Sequence, residues 1–140
     1  RLDYSSESLN VLEAWILDRY QTIGAMMDRY ELTRTDDIGR YIGEVFRKHL
    51  GGKWDVELGN PRKAFFELPY LQGTEEHLYV DCPLTIGTAA VDRRTGTFIR
   101  ELFENARTMT PEYFQENYGH LGKSKTLKKP KTVKNSSSKT

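Results

Sequence analysis

Features that mark secreted, membrane-spanning or metal-binding proteins are scarce in this sequence of 140 residues. Its single cysteine, Cys82, excludes an intramolecular disulfide, which fits a reducing compartment, and we expect a cytoplasmic location. There is no run of about 18 apolar residues and no basic-then-apolar N-terminus, so neither a membrane span nor a signal peptide is expected. The chain begins with Arg1 rather than methionine, so we expect a trimmed N-terminus, a processed product or a fragment, and a targeting segment upstream would not be visible in this sequence.

Signatures of catalysis are also missing. The three histidines, His49, His77 and His120, are far apart, and no C-x-x-C or H-x-x-x-H spacing gathers metal ligands. No G-x-S-x-G, P-loop or G-x-G-x-x-G motif occurs. Cys82 lies five residues after His77 on a predicted strand, which puts the two side chains on opposite faces, so Cys82 is expected to be a buried hydrophobe. The sequence predicts no catalytic residue, no metal and no cofactor, and favours a binding protein over an enzyme.

Charge is divided sharply along the chain, although the formal net charge is only +1. Seven of the 21 basic residues are lysines that follow Gly122, where no acidic residue occurs. The first 122 residues therefore hold 14 basic against 20 acidic residues, a net charge of −6. Residues 121–140 are rich in lysine and serine and have few apolar side chains, so we expect a disordered tail behind a single domain over residues 1–120.

A lysine-rich tail attracts polyanions without reading their sequence. Because this tail has no arginine and no aromatic residue, base stacking and bidentate base recognition are not available to it. Weak binding of nucleic acid through the tail is therefore one hypothesis. The acidic charge of residues 1–122 argues against a nucleic-acid-binding domain, since an acidic surface repels phosphates.

Two helices are predicted in the first 50 residues. The first is a long helix that could bend or break into two at Gly24. Its apolar face consists of Leu9, Leu12, Ile16, Tyr20, Ile23, Met27 and Tyr30. The second is predicted to be capped by Thr35 and to end at Gly51. Its stripe consists of Ile38, Tyr41, Ile42, Val45, Phe46, His49 and Leu50. Gly39 and Gly43 lie one turn apart, which predicts close approach of another element, here the first helix.

Three short strands are predicted next, in an antiparallel meander. Trp54, Val56 and Leu58 alternate with charged residues, as in a half-buried strand. The second candidate, residues 63–71, is expected to be closed by Pro69. The third, residues 77–82, carries Leu78 and Val80 on one face.

Residues 83–100 allow two interpretations. Residues 89–92 and 97–100 fit the arms of a β-hairpin, whereas residues 83–93 and 98–106 also have helical spacing, and helices on both sides of the "RRTG" turn are favoured. A short helix is predicted in "TPEYFQENYG". The predicted fold is α+β, with two N-terminal helices packed on a small antiparallel sheet of about three strands, short C-terminal helices and a disordered basic tail.

Candidate binding residues cluster where the second helix meets the first strand: Glu44, Arg40, Arg47, His49 and Trp54. Glu44 borders the apolar stripe, and partial burial would raise its pKa. The competing role for Glu44 is a structural ion pair with Arg40 or Lys48, one turn away, or with an arginine on the first helix. A separate exposed patch at Tyr70 and Leu71 is a candidate partner surface.

The stretch "LDYSSESL … IGRYIGEVFRKHLGGKWDVEL" resembles small uncharacterised bacterial proteins in which a Y-I-G-E-V-F helix is followed by G-G-x-W, a domain of unknown function. The resemblance covers residues 2–58. It implies a bacterial, cytosolic α+β domain and brings no catalytic residues with it.

Three functional hypotheses follow. The first is a non-catalytic protein-interaction or accessory domain, immunity-like, whose acidic body binds a basic partner protein. The second is a small ligand-binding domain or enzyme that uses Glu44, Arg40 and Arg47 beside His49 and Trp54. The third is the weak nucleic-acid binder that works through the lysine tail.

Overall fold

A computed structural model describes residues 2–63 and 65–112. The helices are α1 (Ser8–Arg19), α2 (Ile23–Met26), α3 (Leu32–Leu50), α4 (Pro83–Arg93) and α5 (Phe98–Thr108), with a 3₁₀ turn at Arg29–Glu31. The strands are β1 (Lys53–Val56), β2 (Pro69–Gln72) and β3 (Val80–Asp81). This arrangement confirms the α+β class. The boundary at residue 120, the lysine tail and most of the helix predicted in "TPEYFQENYG" lie outside the described residues.

The strands form an antiparallel sheet in the order β1-β2-β3, as predicted. Pro69 begins β2 and does not close it, a position where proline's missing N–H removes no ladder hydrogen bond from the strand interior. Leu78 and Val80 are exposed, while Tyr79 between them packs against the core. Trp54, Leu71 and Asp81 are register partners across the three strands, and their side chains therefore share one face of the sheet.

The prediction of one continuous N-terminal helix is wrong, and the break lies at Tyr20 rather than at Gly24, because the chain turns at Tyr20. Tyr20 has extended backbone angles and is buried, and its hydroxyl donates to Glu31 Oε1 at 2.6 Å. Arg19 Nε donates to the same carboxylate oxygen at 3.0 Å. These bonds hold the end of α1 against the 3₁₀ turn, so the segment that was expected to extend α1 folds back as α2, which Thr22 caps.

Thr35 is not a helix cap, because α3 begins three residues earlier, at Leu32. The Thr35 side chain is buried inside the helix. Its hydroxyl lies 2.8 Å from the carbonyl oxygen of Met26 and 2.9 Å from that of Glu31. Thr35 therefore joins α2 to the first turn of α3.

The predicted stripe of α3 forms the centre of the core, with Ile42, Val45 and Phe46 at most 1% exposed. The helix ends at Gly51 as predicted, with a positive φ of 78° that glycine adopts without strain. His49 is the exception in the stripe, because its side chain is exposed. The close approach expected at Gly39 is present, but its partner is the start of α4 and not α1.

Helices on both sides of the "RRTG" turn are confirmed, as α4 and α5, and the hairpin alternative is wrong. Cys82 is 1% exposed, as expected for a residue that packs as a small hydrophobe. In the described part of the chain, no helix is both long and apolar enough to cross a lipid bilayer.

Arg94 joins the turn after α4 to the end of α1. Its guanidinium donates to the carbonyl oxygens of Leu17 at 2.8 Å and Tyr20 at 2.9 Å. These are carbonyls that the last turn of α1 leaves without helical partners. The backbone of Arg94 itself is left-handed, with φ of 54°, which costs about 1 kcal/mol for residues other than glycine.

We predict that Arg94→Ala lowers the free energy of unfolding by about 3 kcal/mol and Arg94→Gly by about 2 kcal/mol. Both variants lose the bonds to α1, but glycine removes the left-handed strain. Urea denaturation of the two variants measures the difference directly. Equal losses would show that the backbone at this position is not strained, and no loss in either would contradict the role of the guanidinium.

Candidate functional site

A groove with a volume of about 590 Å³ runs between the N-terminal half of α3 on one side and the start of α4 with the sheet on the other. It is lined by Met27, Leu32, Thr35, Asp36, Gly39, Arg40, Glu44, Trp54, Leu68, Pro69, Pro83 and Leu84. Most of these side chains are apolar, and the charged ones all come from α3. Pockets of this size and composition are typical of binding sites for organic groups.

One face of α3 supplies half of the lining. The residues from Leu32 to Glu44 recur three or four apart, which places them in a row along the helix. With a rise of about 1.5 Å per residue, this row is about 18 Å long. The charged members, Asp36, Arg40 and Glu44, are spaced by four and form the rim of the groove.

Trp54 forms the wall at the end nearest β1. Its indole Nε1 donates to Glu44 Oε2 at 2.8 Å. The far edge of its six-membered ring lies where a side chain on Gly43 would be, so the absence of a Cβ at Gly43 makes room for it. Two neighbouring residues of α3 therefore position Trp54. Gly43 leaves room for the indole ring, and the Glu44 carboxylate accepts its hydrogen bond.

Glu44 is an ionised, structurally bound carboxylate. Besides the bond from Trp54, its two oxygens accept from Arg47 Nη1 at 3.0 and 3.1 Å. The hydrogen bond from Trp54, followed by that from Arg47, holds the pKa of Glu44 below its ordinary value, although partial burial acts in the opposite direction. The expected rise in this pKa is therefore wrong. Glu44 forms its ion pair with Arg47, three residues on, rather than with Arg40, Lys48 or an arginine of α1.

Arg40 pairs with Asp36 instead, at 2.8 Å. Both side chains are exposed, with 72% and 55% of their surface accessible to solvent. An exposed pair of this kind contributes little to stability. Its position on the rim leaves the guanidinium and the carboxylate free to meet an incoming molecule.

Three of the five predicted binding residues, Arg40, Glu44 and Trp54, therefore lie together in the groove. Arg47 does not line it, and touches it only through Glu44. His49 lies elsewhere, with its Nε2 2.9 Å from the carbonyl oxygen of Tyr4 and its ring edge-on to Phe103. His49 therefore links the N-terminal segment to α3 and does not contribute to the groove.

The predicted partner surface at Tyr70 and Leu71 is wrong for Leu71, which is 0% exposed. It lies on the central strand, on the face that packs against the helices. Tyr70 points to the opposite face, as strand alternation requires, and is partly exposed. Its hydroxyl lies 3.5 Å from Asp55 Oδ2.

The apolar walls of the groove were not found by sequence reasoning. Leu32, Leu68 and Leu84 come from three separate segments, and none of them belongs to a periodic stripe that marked it as part of a site. Pro83 carried a signal, because a helix was predicted to begin there, and the groove lies where that helix begins. Pro69 was predicted to close a strand that it in fact begins. Among the described residues, no cluster of three or more His, Cys, Asp or Glu side chains could hold a metal ion.

Asp81 carries a partly buried carboxylate, and the sequence analysis did not identify it as a site residue. It lies on the inner face of β3, beside Leu71, and no hydrogen bond or ion pair among the described residues involves its side chain. Burial raises the pKa of Asp81 from 3.8 to about 6. Because the folded state disfavours the charged form, the stability that Asp81 contributes is fully present below pH 3.8 and is lost as the pH rises through about 6.

We predict that Asp81→Asn raises the free energy of unfolding by about 2 kcal/mol at pH 7.5 and changes it little at pH 4. The difference between a pKa of 3.8 and one of about 6 corresponds to about 3 kcal/mol, and the partial exposure of Asp81 reduces that value. Urea denaturation at the two pH values checks the prediction, with the exposed Asp18→Asn as the control. An equal effect at both pH values would contradict it.

No protein-family model, curated protein or solved structure matches this chain. The resemblance to small bacterial proteins of unknown function therefore stays a prediction from residues 2–58.

Proposed function

We propose that this protein is a non-catalytic protein-interaction domain and that the groove holds a short apolar segment of a partner protein. The observation that carries the proposal is the groove itself. Its interior is apolar, one wall is a half-buried tryptophan, and its charged residues are confined to the rim on α3. Buried aromatic side chains surrounded by polar rims are typical of protein-binding surfaces.

The shape of the groove favours a peptide segment over a compact molecule. A length of about 18 Å corresponds to three turns of helix or five to six extended residues. Peptide-binding grooves of this kind take apolar side chains that recur along one face of the bound segment. Leu32 and Leu84, from α3 and α4, line the groove and would contact such side chains.

The state of the rim carboxylates supports a binding role over a catalytic one. Asp36 is paired with Arg40, and Glu44 is bonded to both Trp54 and Arg47. A general acid or base works best with a pKa near the operating pH, and the pKa of Glu44 is moved away from neutrality. Both carboxylates are engaged in bonds that hold the site in shape.

The net charge of the described residues indicates the charge of the partner. The described residues contain 13 basic and 19 acidic residues, a net charge of −6. A field of that sign speeds the approach of basic proteins and discourages nucleic acids. This supports an accessory role, immunity-like, in which the acidic domain binds a basic partner.

Selection of peptides from a random dodecamer phage library tests the proposal. The wild-type chain is the target, and the variants are Leu32→Asn/Leu84→Asn in the groove and Leu58→Asn/Leu78→Asn outside it. Leu58 and Leu78 are 68% and 41% exposed, so the control pair introduces the same polar groups at exposed positions away from the groove. We expect enriched peptides to bind wild type and the control pair equally and to lose at least tenfold in affinity for the groove pair.

Enriched peptides that bind both double variants alike would contradict the groove as the binding site. Failure to enrich any peptide would contradict the protein-interaction proposal. In that case a small molecule that co-purifies with the wild type, detected by native mass spectrometry and lost in Leu32→Asn/Leu84→Asn, would favour the second hypothesis, a small-ligand site at Arg40, Glu44 and Trp54.

A further inference from the structure

We propose that the free edge of β1 pairs with β1 of a second copy of this chain, antiparallel and with Trp54 opposite Trp54 across a two-fold axis. The pairing joins the two three-stranded sheets into one. The inference follows from the direction of the backbone groups of β1 and from the order of charges along it. It goes beyond the proposed function, since it does not depend on what the groove binds.

Hydrogen bonds between β2 and β3 fix the direction of the backbone groups in β2. The N–H of Gly73, directly after β2, donates to the carbonyl oxygen of Tyr79 at 2.8 Å. The backbone groups of successive residues in an antiparallel strand face opposite neighbours. Those of Leu71 therefore face β3, as those of Gly73 do, and those of Tyr70 and Gln72 face β1.

The same alternation fixes the direction of the backbone groups in β1. Lys53 and Asp55 are the register partners of the two β2 residues that face β1, so their backbone groups face β2. Those of Trp54 and Val56 face the opposite side, where no further strand lies among the described residues. Asp55 Oδ1 accepts the N–H of Val56 at 2.7 Å. The N–H and C=O of Trp54 have no hydrogen-bond partner in the described part of the chain.

The free edge of β1 is accessible to another strand. Lys53, Asp55 and Val56 are exposed, and Trp54 is half-buried. The strand contains no proline, and a proline is one of the features that commonly prevent pairing at an edge. In the proposed pairing, the N–H of Trp54 in each copy donates to the C=O of Trp54 in the other, so both free groups are satisfied.

The charges of β1 favour a second copy of the same strand and select one register. With Trp54 opposite Trp54, Lys53 of each copy lies opposite Asp55 of the other, in non-hydrogen-bonded pairs whose side chains approach closely. Moving the axis by one residue in either direction would put Asp55 opposite Asp55 or Lys53 opposite Lys53. An edge lysine by itself discourages pairing, but here it meets a carboxylate.

The association is expected to be weak. The paired strands are four residues long, and the net negative charge of the two copies opposes their approach. We expect a dissociation constant of about 0.1–1 mM for the wild-type chain, measured by sedimentation equilibrium at about 0.15 M salt.

Charge exchange between positions 53 and 55 tests the pairing. Lys53→Asp alone and Asp55→Lys alone should each weaken self-association about fivefold, because both create like-charge pairs. An equimolar mixture of these two variants should associate about as well as wild type, and so should Lys53→Asp/Asp55→Lys. The single variants move the net charge in opposite directions, so the general field of the protein cannot weaken both. The double variant also lacks the Asp55 bond to Val56, so its recovery assigns the loss in Asp55→Lys to charge.

Amide hydrogen exchange, followed by NMR, tests the backbone contact directly. Raising the wild-type concentration to about 1 mM should slow exchange of the Trp54 N–H about twofold and leave that of Asp55, which faces β2, unchanged. A wild-type chain that stays monomeric at this concentration would overturn the inference. Association that ignores the charge variants, single variants that do not associate when mixed, or unchanged exchange at Trp54 would overturn it too. None of these results affects the groove, because no peptide is present.

Discussion

Replacing Glu13 by alanine is expected to lower the free energy of unfolding by about 4 kcal/mol. Glu13 is 0% exposed, although it is a carboxylate. Its oxygens accept the backbone N–H groups of Ile99 at 2.8 Å and Phe98 at 3.2 Å. These are the first two residues of α5, where N–H groups have no partner within the helix and where negative charge is favoured. Alanine would leave the buried N–H of Ile99 and the partly buried N–H of Phe98 without this partner.

Glu13→Gln tests the contribution of the negative charge, because glutamine has nearly the same shape as glutamate. Glu13→Gln keeps one acceptor oxygen but turns an amide NH₂ toward the second donor, so a loss of about 2 kcal/mol is expected. Asp18→Ala, an exposed carboxylate on the same helix, is the control and should change stability by less than about 0.5 kcal/mol. Urea denaturation measures all three. A Glu13→Ala variant as stable as Asp18→Ala would show that the carboxylate does not hold α5.

The second large effect is expected at Gly43, where alanine should lower the free energy of unfolding by about 2 kcal/mol. An added Cβ would overlap the indole of Trp54 and force it out of its position. The displaced indole loses its packing and its bond to Glu44, which costs about 3 kcal/mol. Alanine's better helix propensity returns about 1 kcal/mol.

Gly39→Ala is the matched control one turn earlier on the same helix. Its added Cβ would lie 3.5 Å from the backbone nitrogen of Leu84, an ordinary contact. We expect this variant to be as stable as wild type or up to about 1 kcal/mol more stable. In a Trp15→Phe background Trp54 is the single tryptophan, so its emission should shift to the red in Gly43→Ala and stay unchanged in Gly39→Ala.

Unchanged emission in Gly43→Ala would contradict the role of Gly43 in seating Trp54. Peptide affinity gives a second readout, because a displaced indole removes one wall of the groove. Groove-dependent peptides should bind Gly43→Ala at least tenfold more weakly than Gly39→Ala.

The candidate site could be predicted in part. Arg40, Glu44 and Trp54 were identified because they lie near one another in sequence, across the turn between α3 and β1. His49 was included for the same reason but lies outside the groove, since sequence proximity does not tell which side of a helix faces a site. The direction of the pKa shift at Glu44 was also missed, because it depends on Trp54 reaching back across the turn.

By itself the sequence determined the elements whose causes are local. The apolar period of α3, its end at Gly51 and the two helices around the "RRTG" turn all depend on residues within a few positions of one another. The tertiary structure alone decided where α1 ends, because Tyr20 is turned by a carboxylate eleven residues away. It also decided that Glu13 supports α5, across 86 residues, and that Leu84 faces α3 to complete the groove. These contacts join segments whose separation in the chain carries no periodic signal, so they exist only once the core has packed.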